Sequence, residues 1–480
     1  MNNHKSRYKI IYLNILKRII RQKHLQLMSI IIVILYILVG INSAISYKNK
    51  IALFDQAKAN VRKAWLNQPA QNPHSSAHYG HYVFQPVTAL NFLDNGVTDY
   101  LGSVLKLEGH RQNDAAFSPI MNNSEMARLG EINFSWVLQV LIPLFIILMS
   151  FNSISAEFEQ NNIKLLKSQG ASIGQLLWGN VCSILTILLT LFLVGVFFIF
   201  ILYALLTKQP LNTFPFSDFL IWISTYMVYF FILILFSVII SALVKVSKLS
   251  FLILLSFWVF SIIILPKLIY STSRIIYPYP SKQEFTKTLN ESRKKGIDGH
   301  DPMDQRAKQF NDSLLLKYNV KSLDELPINA DGLIMQADED YANKVYDKHF
   351  SDIRTVTNNQ NQLASIISII NPFLAIKNIS MTIAQSDYNS NMIFLSEAEQ
   401  YRRYLIKELN TKMAYGGSKT GEWDWSVDVS YWNTVRDFTY PQAPLLKRLS
   451  YRKIEITSLF LWVIMLIVSI KLIARNYKIV

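Results

Sequence analysis

Cysteine is almost missing: the 480 residues contain one, Cys182, and it lies inside a long apolar run. An intramolecular disulfide and a cysteine-based zinc site are thereby excluded. Any water-facing segment must be held by packing alone. Charge is missing too, from the places where hydrophobic residues gather. Six apolar runs, Leu25 to Ser46, Phe134 to Ser153, Leu176 to Leu206, Phe219 to Val244, Leu249 to Tyr270 and Ile456 to Ala474, carry no Asp, Glu, Lys or Arg near their middles. A bare charge at the bilayer centre costs on the order of 3 kcal/mol or more, and roughly 20 apolar residues cross the hydrocarbon as a helix. The runs read as six transmembrane helices that serve as walls rather than proton relays.

A complete phosphate-binding loop is also lacking. Gly416-Gly417-Ser418-Lys419-Thr420 ends like one, but serine stands where a glycine must precede the lysine, and the upstream glycine is absent. No ATPase site is expected in this chain, and no residue is assigned a catalytic role.

What is present sets the class. Hydrophobic residues make up 51% of the chain and mean hydropathy is +0.21, yet the polar residues collect in two long blocks. That pattern describes a membrane protein with soluble insertions. The net charge of +15 does not point to nucleic acid, because Lys5, Arg7, Lys9, Lys17, Arg18, Arg21 and Lys23 all precede the first run. Cations there place the amino terminus in the cytoplasm. Ile10, Ile11, Leu13, Leu16, Ile19 and Ile20 are interleaved with them, so residues 1–24 form either an amphipathic helix in the membrane interface or a solvated basic tail. The first run is too long for a signal-peptide core and has no Ala-x-Ala site, which predicts that it is retained.

Counting from a cytoplasmic start puts residues 47–133 outside, 154–175 inside, 207–218 outside, 245–248 inside and 271–455 outside, with 475–480 back in the cytoplasm. Lys245 and Lys248 agree with this topology. Lys447, Arg448, Arg452 and Lys453 do not, since they crowd the outer end of the last run against Lys471, Arg475 and Lys478 at its inner end. A further apolar stretch, Leu363 to Ile383, is interrupted by Asn371-Pro372 and Lys377. Pro372 would break a helix near its centre, so the stretch reads as buried or interfacial rather than as a seventh crossing.

The two outer insertions, of roughly 85 and 185 residues, are each large enough to form a domain. In the second, Met335 to Ile370 lacks proline and glycine and predicts a long helix. Ser396-Glu397-Ala398-Glu399 has the form of a capping box that opens a helix through Leu409. Trp423, Trp425, Val427 and Val429 alternate with acidic and small residues, which predicts a strand. Those tryptophans, with Trp432, would fill the core of a small sheet or stack on a sugar or lipid headgroup.

The inner loop after the second run carries a more specific signal. From Ser155 to Gly170 a charged start, Glu157-Phe158-Glu159, leads into Ile163-Lys164-Leu165-Leu166 and stops at Gly170, which predicts a short surface helix ended by a left-handed glycine. An ordinary loop helix would have the same pattern. This segment resembles the Glu-x-Glu-x-Gly-Thr-Leu-x-x-Leu-Leu coupling element of ABC-2-type permeases, with Asn161-Asn162 where Gly-Thr is usual. Further stretches resemble the subgroup with large extracytoplasmic insertions after the first and before the last transmembrane helix. They are Pro73-His74-Ser75-Ser76-Ala77-His78-Tyr79-Gly80, Leu107-Glu108-Gly109-His110-Arg111-Gln112-Asn113, Arg128-Leu129-Gly130-Glu131, Ser380-Met381 with Asp387, Ala398-Glu399-Gln400-Tyr401-Arg402-Arg403, and Trp432 through Phe438-Thr439-Tyr440-Pro441.

The resemblance implies an all-α polytopic membrane protein of six transmembrane helices with two α-rich or mixed extracytoplasmic domains. It implies a bacterial inner-membrane location with both termini cytoplasmic. The implied partners are an ABC ATP-binding subunit, which carries ATP and Mg2+, and a second permease copy, identical or paralogous. The implied role is the membrane-spanning subunit of an exporter, in which Glu157, Phe158, Glu159, Lys164, Leu165 and Leu166 couple to the ATPase. Two other readings stay open: ATP-driven force transmission to an envelope partner without cargo crossing, and a membrane-anchored metal-binding or sensor protein.

The last reading rests on histidines. His74 and His78 share a face if their segment is helical, and Glu108 and His110 share one if theirs is a strand. If the two segments meet, three imidazoles and a carboxylate converge, a set that suits a divalent zinc-like ion. His81 is a spare candidate. A hydrogen-bonded network that only fixes the domain would use the same residues.

Overall fold

A computed structural model describes residues 2–113, 132–207 and 209–476, so the Arg128 to Glu131 stretch lies outside the described residues. Among the described residues six helices are long and apolar enough to cross a membrane: Lys23–Leu66, Phe134–Glu159, Ile173–Leu206, Phe216–Val244, Ser247–Ile276 and Leu445–Asn476. They are called here the first to sixth spans. The chain is thus a helical, polytopic membrane protein, as its apolar runs predict.

The bundle core forms around Trp222, with Phe134, Phe192, Tyr226 and Phe230 fully buried beside it. Small residues let the first and third spans touch closely. A Cβ on Gly195 would lie 2.6 Å from the Tyr36 ring, so any larger side chain would drive the two helices apart. Before the first span, helix α1 (Asn2–Ile20) packs along the third span. Tyr8 and Tyr12 meet Cys182 and Thr186, each at 3.1 Å, and Ile15 and Ile19 are buried. Residues 2–20 are thus a helix packed against the third span. Gly174 at the start of the third span approaches Ala474 near the end of the sixth, so both chain ends lie at one end of the bundle.

The first span is longer than its apolar run. Its 44 residues reach about 66 Å at 1.5 Å per residue, well past a hydrocarbon core of about 30 Å. The excess, from Tyr47 onward, rises into the insertions, where Phe54 packs on Phe84 and Val104, and Trp65 enters the main outer core. That core is shared. Helix α2 (Pro73–Tyr79) and the antiparallel pair β1 (His81–Phe84) and β2 (Val104–Leu107) supply Ala77, Val83, Leu105 and Leu107. The second insertion supplies Phe394, Tyr401, Leu405, Leu409, Val427 and Trp432. The two insertions are therefore one packed body rather than separate domains.

Five further helices bear on the sites: α3 (Ser155–Glu159) and α4 (Asn162–Ser168) in the loop after the second span, and α5 (Ala330–Ile367), α6 (Pro372–Ala384) and α7 (Tyr388–Tyr415) in the second insertion. The break at Asn371-Pro372 separates α5 from α6. Asn371 accepts from Phe373 N at 3.0 Å and donates to the Ser261 carbonyl at 2.9 Å, so the interruption leaves no stranded polar group. At 13 residues, or about 20 Å, α6 is too short to cross. It is buried against the fourth and sixth spans, in agreement with the buried reading of this stretch.

Two sequence expectations fail in the second insertion, and one anomaly at its edge is explained. Helix α7 begins at Asp387, whose carboxylate accepts from Ser390 N at 3.0 Å, so Ser396 to Glu399 lie mid-helix and cap nothing. Residues 423–429 are not a strand. Val427 N is satisfied by the Gln71 carbonyl at 3.1 Å, while Trp423 is 52% exposed and Trp432 is fully buried. The contrary charges at the sixth span are structural: Arg448 pairs with Asp218 and donates to the last carbonyls of α6, Thr382 and Ile383, and Arg452 pairs with Asp387 at 2.7 Å. Cations that cap a helix C-terminus and fill buried ion pairs are held by those contacts.

Candidate functional site

The histidine segments meet. Asn72 caps α2 by accepting from His74 N at 2.9 Å, Pro73 opens the helix, and Gly80 ends it at a positive φ. His74 and His78 thus sit one turn apart on one face. Gly109 N donates to the Ala77 carbonyl at 2.9 Å and docks the chain after β2 onto α2. His110 then takes a left-handed φ of 62°, which brings its ring to 5.3 and 5.2 Å from those of His74 and His78, centroid to centroid. The Nε2 atoms of His74 and His78 are 3.0 Å apart, and one ring nitrogen from each of the three residues lies within 4.8 Å of the others.

Glu108 is not with them. The strand ends at Leu107 and the chain turns, so the period of two no longer applies. The carboxylate faces Lys106 at 2.7 Å and Asn113 at 2.9 Å. Glu339 of α5 takes the place assigned to it: it accepts from His110 Nδ1 at 3.0 Å and from the His110 backbone N–H. His81 is turned away, wedged between Trp65 and Tyr401.

The surroundings fix these groups. Glu339 is buried, and burial opposes its charge, but the His110 hydrogen bond and the Arg402 guanidinium at 3.2 Å hold its pKa down at about 2. Arg402 is itself 1% exposed and also binds Glu399 at 2.8 Å and Asn343. Burial lowers the pKa of His74 and of His78, which favours neutral imidazoles, whereas the bond to Glu339 raises that of His110. Two imidazoles held neutral and a third oriented by a carboxylate, all facing one point, make a ligand set for a transition metal. No spacing rule reaches Glu339, or Asn410, whose Oδ1 lies 3.0 Å from His74 Nδ1, since both are more than 200 residues from the histidines.

At the opposite end of the bundle, the loop after the second span is two helices rather than one. Asn161, at a φ of 57°, separates α3 from α4, and asparagine tolerates the left-handed region. The chain stops after α4 at Gly170, φ 84°, as expected. Glu157 pairs with Arg18 of α1. Glu159 accepts from the Ser247 backbone and hydroxyl at 3.0 and 2.6 Å, between the fourth and fifth spans. Phe158 lies under Lys245, and Leu166 packs against the bundle core. Lys164 and Leu165 point outward, with Leu165 56% exposed. A polar cavity of about 490 Å3 lies at the insertion end, bounded in part by Asp55, Lys58, Asp218 and Arg448.

Among known proteins, residues 282–441 match a family profile described as a domain of unknown function, DUF3526, and residues 110–289 match one described as a protein of unknown function, DUF2705. No curated protein and no solved structure matches the chain. The first match covers most of the second insertion, including Glu339 and Arg402. The second begins at His110 and runs through the inner helix pair and four spans.

Proposed function

We propose that this chain is the membrane-spanning permease subunit of an ABC-2-type exporter, paired with a second permease copy and driven by a separate ATP-binding subunit. The observation that carries this reading is the inner helix pair. Helix α3 is tied by Glu157 to α1 and by Glu159 to Ser247 at the start of the fifth span, so a push on α4 passes through α3 to both. Rigid connections of this kind transmit a displacement between two packings of the spans. The exposed apolar Leu165, flanked by Lys164 and Lys167, is the contact point offered to the ATPase, and the side bearing it is the cytoplasm.

The test is purification of the tagged full chain in detergent from its native host, with assay of ATPase activity in the complex. Wild type is expected to retain an ATP-hydrolysing polypeptide that Leu165→Asp loses, with unchanged monodispersity. A wild-type preparation without ATPase activity, or equal activity in L165D, overturns the proposal.

A further inference from the structure

We propose that the Nε2 atoms of His74, His78 and His110 bind a divalent transition-metal ion of the zinc class, at a joint between the two insertions. This does not rest on the permease reading. Two ligands on a tetrahedral zinc at about 2.0–2.1 Å lie roughly 3.4 Å apart. The His74 and His78 nitrogens, at 3.0 Å, need only a small rotation to reach that spacing.

The second insertion sets the tautomers. Glu339 accepts from His110 Nδ1 at 3.0 Å, which leaves the Nε2 lone pair free. For His74 the direction is fixed by a relay that ends on a carboxylate. Gln336 donates to Asp340 at 2.8 Å, so its carbonyl oxygen accepts from the Asn410 amide at 3.1 Å. Asn410 Oδ1 must then accept from His74 Nδ1, 3.0 Å away, and again Nε2 carries the lone pair. Carboxylates and carbonyls that hold the outer N–H of each imidazole are the usual second layer of a histidine metal site. Without an ion, His74 Nε2 accepts from His78 Nε2 at 3.0 Å, and a bound ion takes the place of that shared proton.

His74 is buried, His110 partly so and His78 exposed, so the fourth position faces solvent on the His78 side. Three protein ligands with an open fourth place describe a site that can exchange ligands, in contrast to a closed four-ligand structural zinc. Because His74 and His110 are held by groups of the second insertion, an ion here clamps the two insertions together.

The experiment uses the full chain in detergent, stripped with chelator, dialysed and titrated with ZnCl2, with metal content measured by elemental analysis and with Co2+ as a spectroscopic probe. Wild type is expected to take up one equivalent and to give the visible absorption of four-coordinate Co2+. His78→Ala, at the exposed ligand, is expected to abolish stoichiometric uptake. Glu339→Gln should weaken binding by about 10–100-fold. Glu108→Ala, outside the cluster, should leave it unchanged. Absence of uptake by wild type overturns the proposal without any variant. Uptake undiminished in H78A, or lost in E108A as fully as in H78A, also overturns it.

Discussion

Single residues in the outer body are controlled by what surrounds them, which is why some were legible in sequence and others were not. The i, i+4 pairing of His74 and His78 depends only on a local helix, which the sequence alone leaves as a condition and Asn72, Pro73 and Gly80 supply. The role given to Glu108 depended on a strand continuing three residues too far, from Leu107 to His110, and Glu339 replaced it across a distance in sequence that no periodicity spans. His81 shows the same control in its titration. Burial lowers its pKa to about 4, with Arg62 adding to the shift and Asp437 opposing it. The unfolded chain protonates this imidazole near pH 6.5, so between 6.5 and 4 the unfolded state binds more protons. The contribution to stability is intact above pH 6.5 and is lost as pH falls toward 4. The full difference is about 3 kcal/mol. His81→Leu should therefore flatten the acid side of the stability profile between pH 7 and 4.5, followed by the fluorescence of the shared core that holds Trp65 and Trp432. An unchanged slope in H81L would mean that the group titrates normally in the fold.

At the scale of elements, the sequence was most readable where one physical rule dominates. Apolar length fixed the spans, proline kept α6 from crossing, and Gly170 ended the inner helix. It was least readable where a tertiary partner overrides a local pattern. Ser396 to Glu399 have the composition of a cap, but α7 already starts nine residues earlier at Asp387, and buried contacts carry it straight through. The alternation near Trp425 has no neighbouring strand to pair with. Asn161 is the element-scale device the sequence only hinted at, by standing where the resembled motif has glycine. A β-branched residue in the left-handed region costs roughly 1–2 kcal/mol, while glycine enters it freely. Asn161→Gly should leave the α3–α4 corner intact, and Asn161→Val should loosen it. Tryptic cleavage after Lys164 and Lys167 in purified full-length protein reports the difference: faster cutting in N161V and wild-type rates in N161G are expected. Equal rates in the two variants would show that the corner does not depend on the left-handed turn.

Over the whole molecule, the two insertions that the sequence separates by four spans are joined by one core. Trp65 and Trp432 meet edge to face at 5.7 Å, and each indole N–H reaches across the boundary, Trp65 to the Trp432 carbonyl at 3.1 Å and Trp432 to the Pro69 carbonyl at 3.2 Å. The core that covers β1 and β2 draws on both insertions, so residues 47–133 expressed alone would lack both the helix face that covers β1 and β2 and the groups that orient the histidines. Removal of Trp432 should consequently be felt on both sides. Trp432→Ala deletes a fully buried side chain, and such truncations cost about 3–5 kcal/mol. The expected outcome is a joint loss of protease resistance in the segments around residues 68–113 and 388–441. The spans should remain extractable and monodisperse, since their core around Trp222 is a separate cluster. Limited proteolysis read by mass spectrometry separates the alternatives. Simultaneous appearance of cuts in both insertions follows from a shared core, whereas cuts confined to the neighbourhood of residue 432 would show that the first insertion is stable without the second.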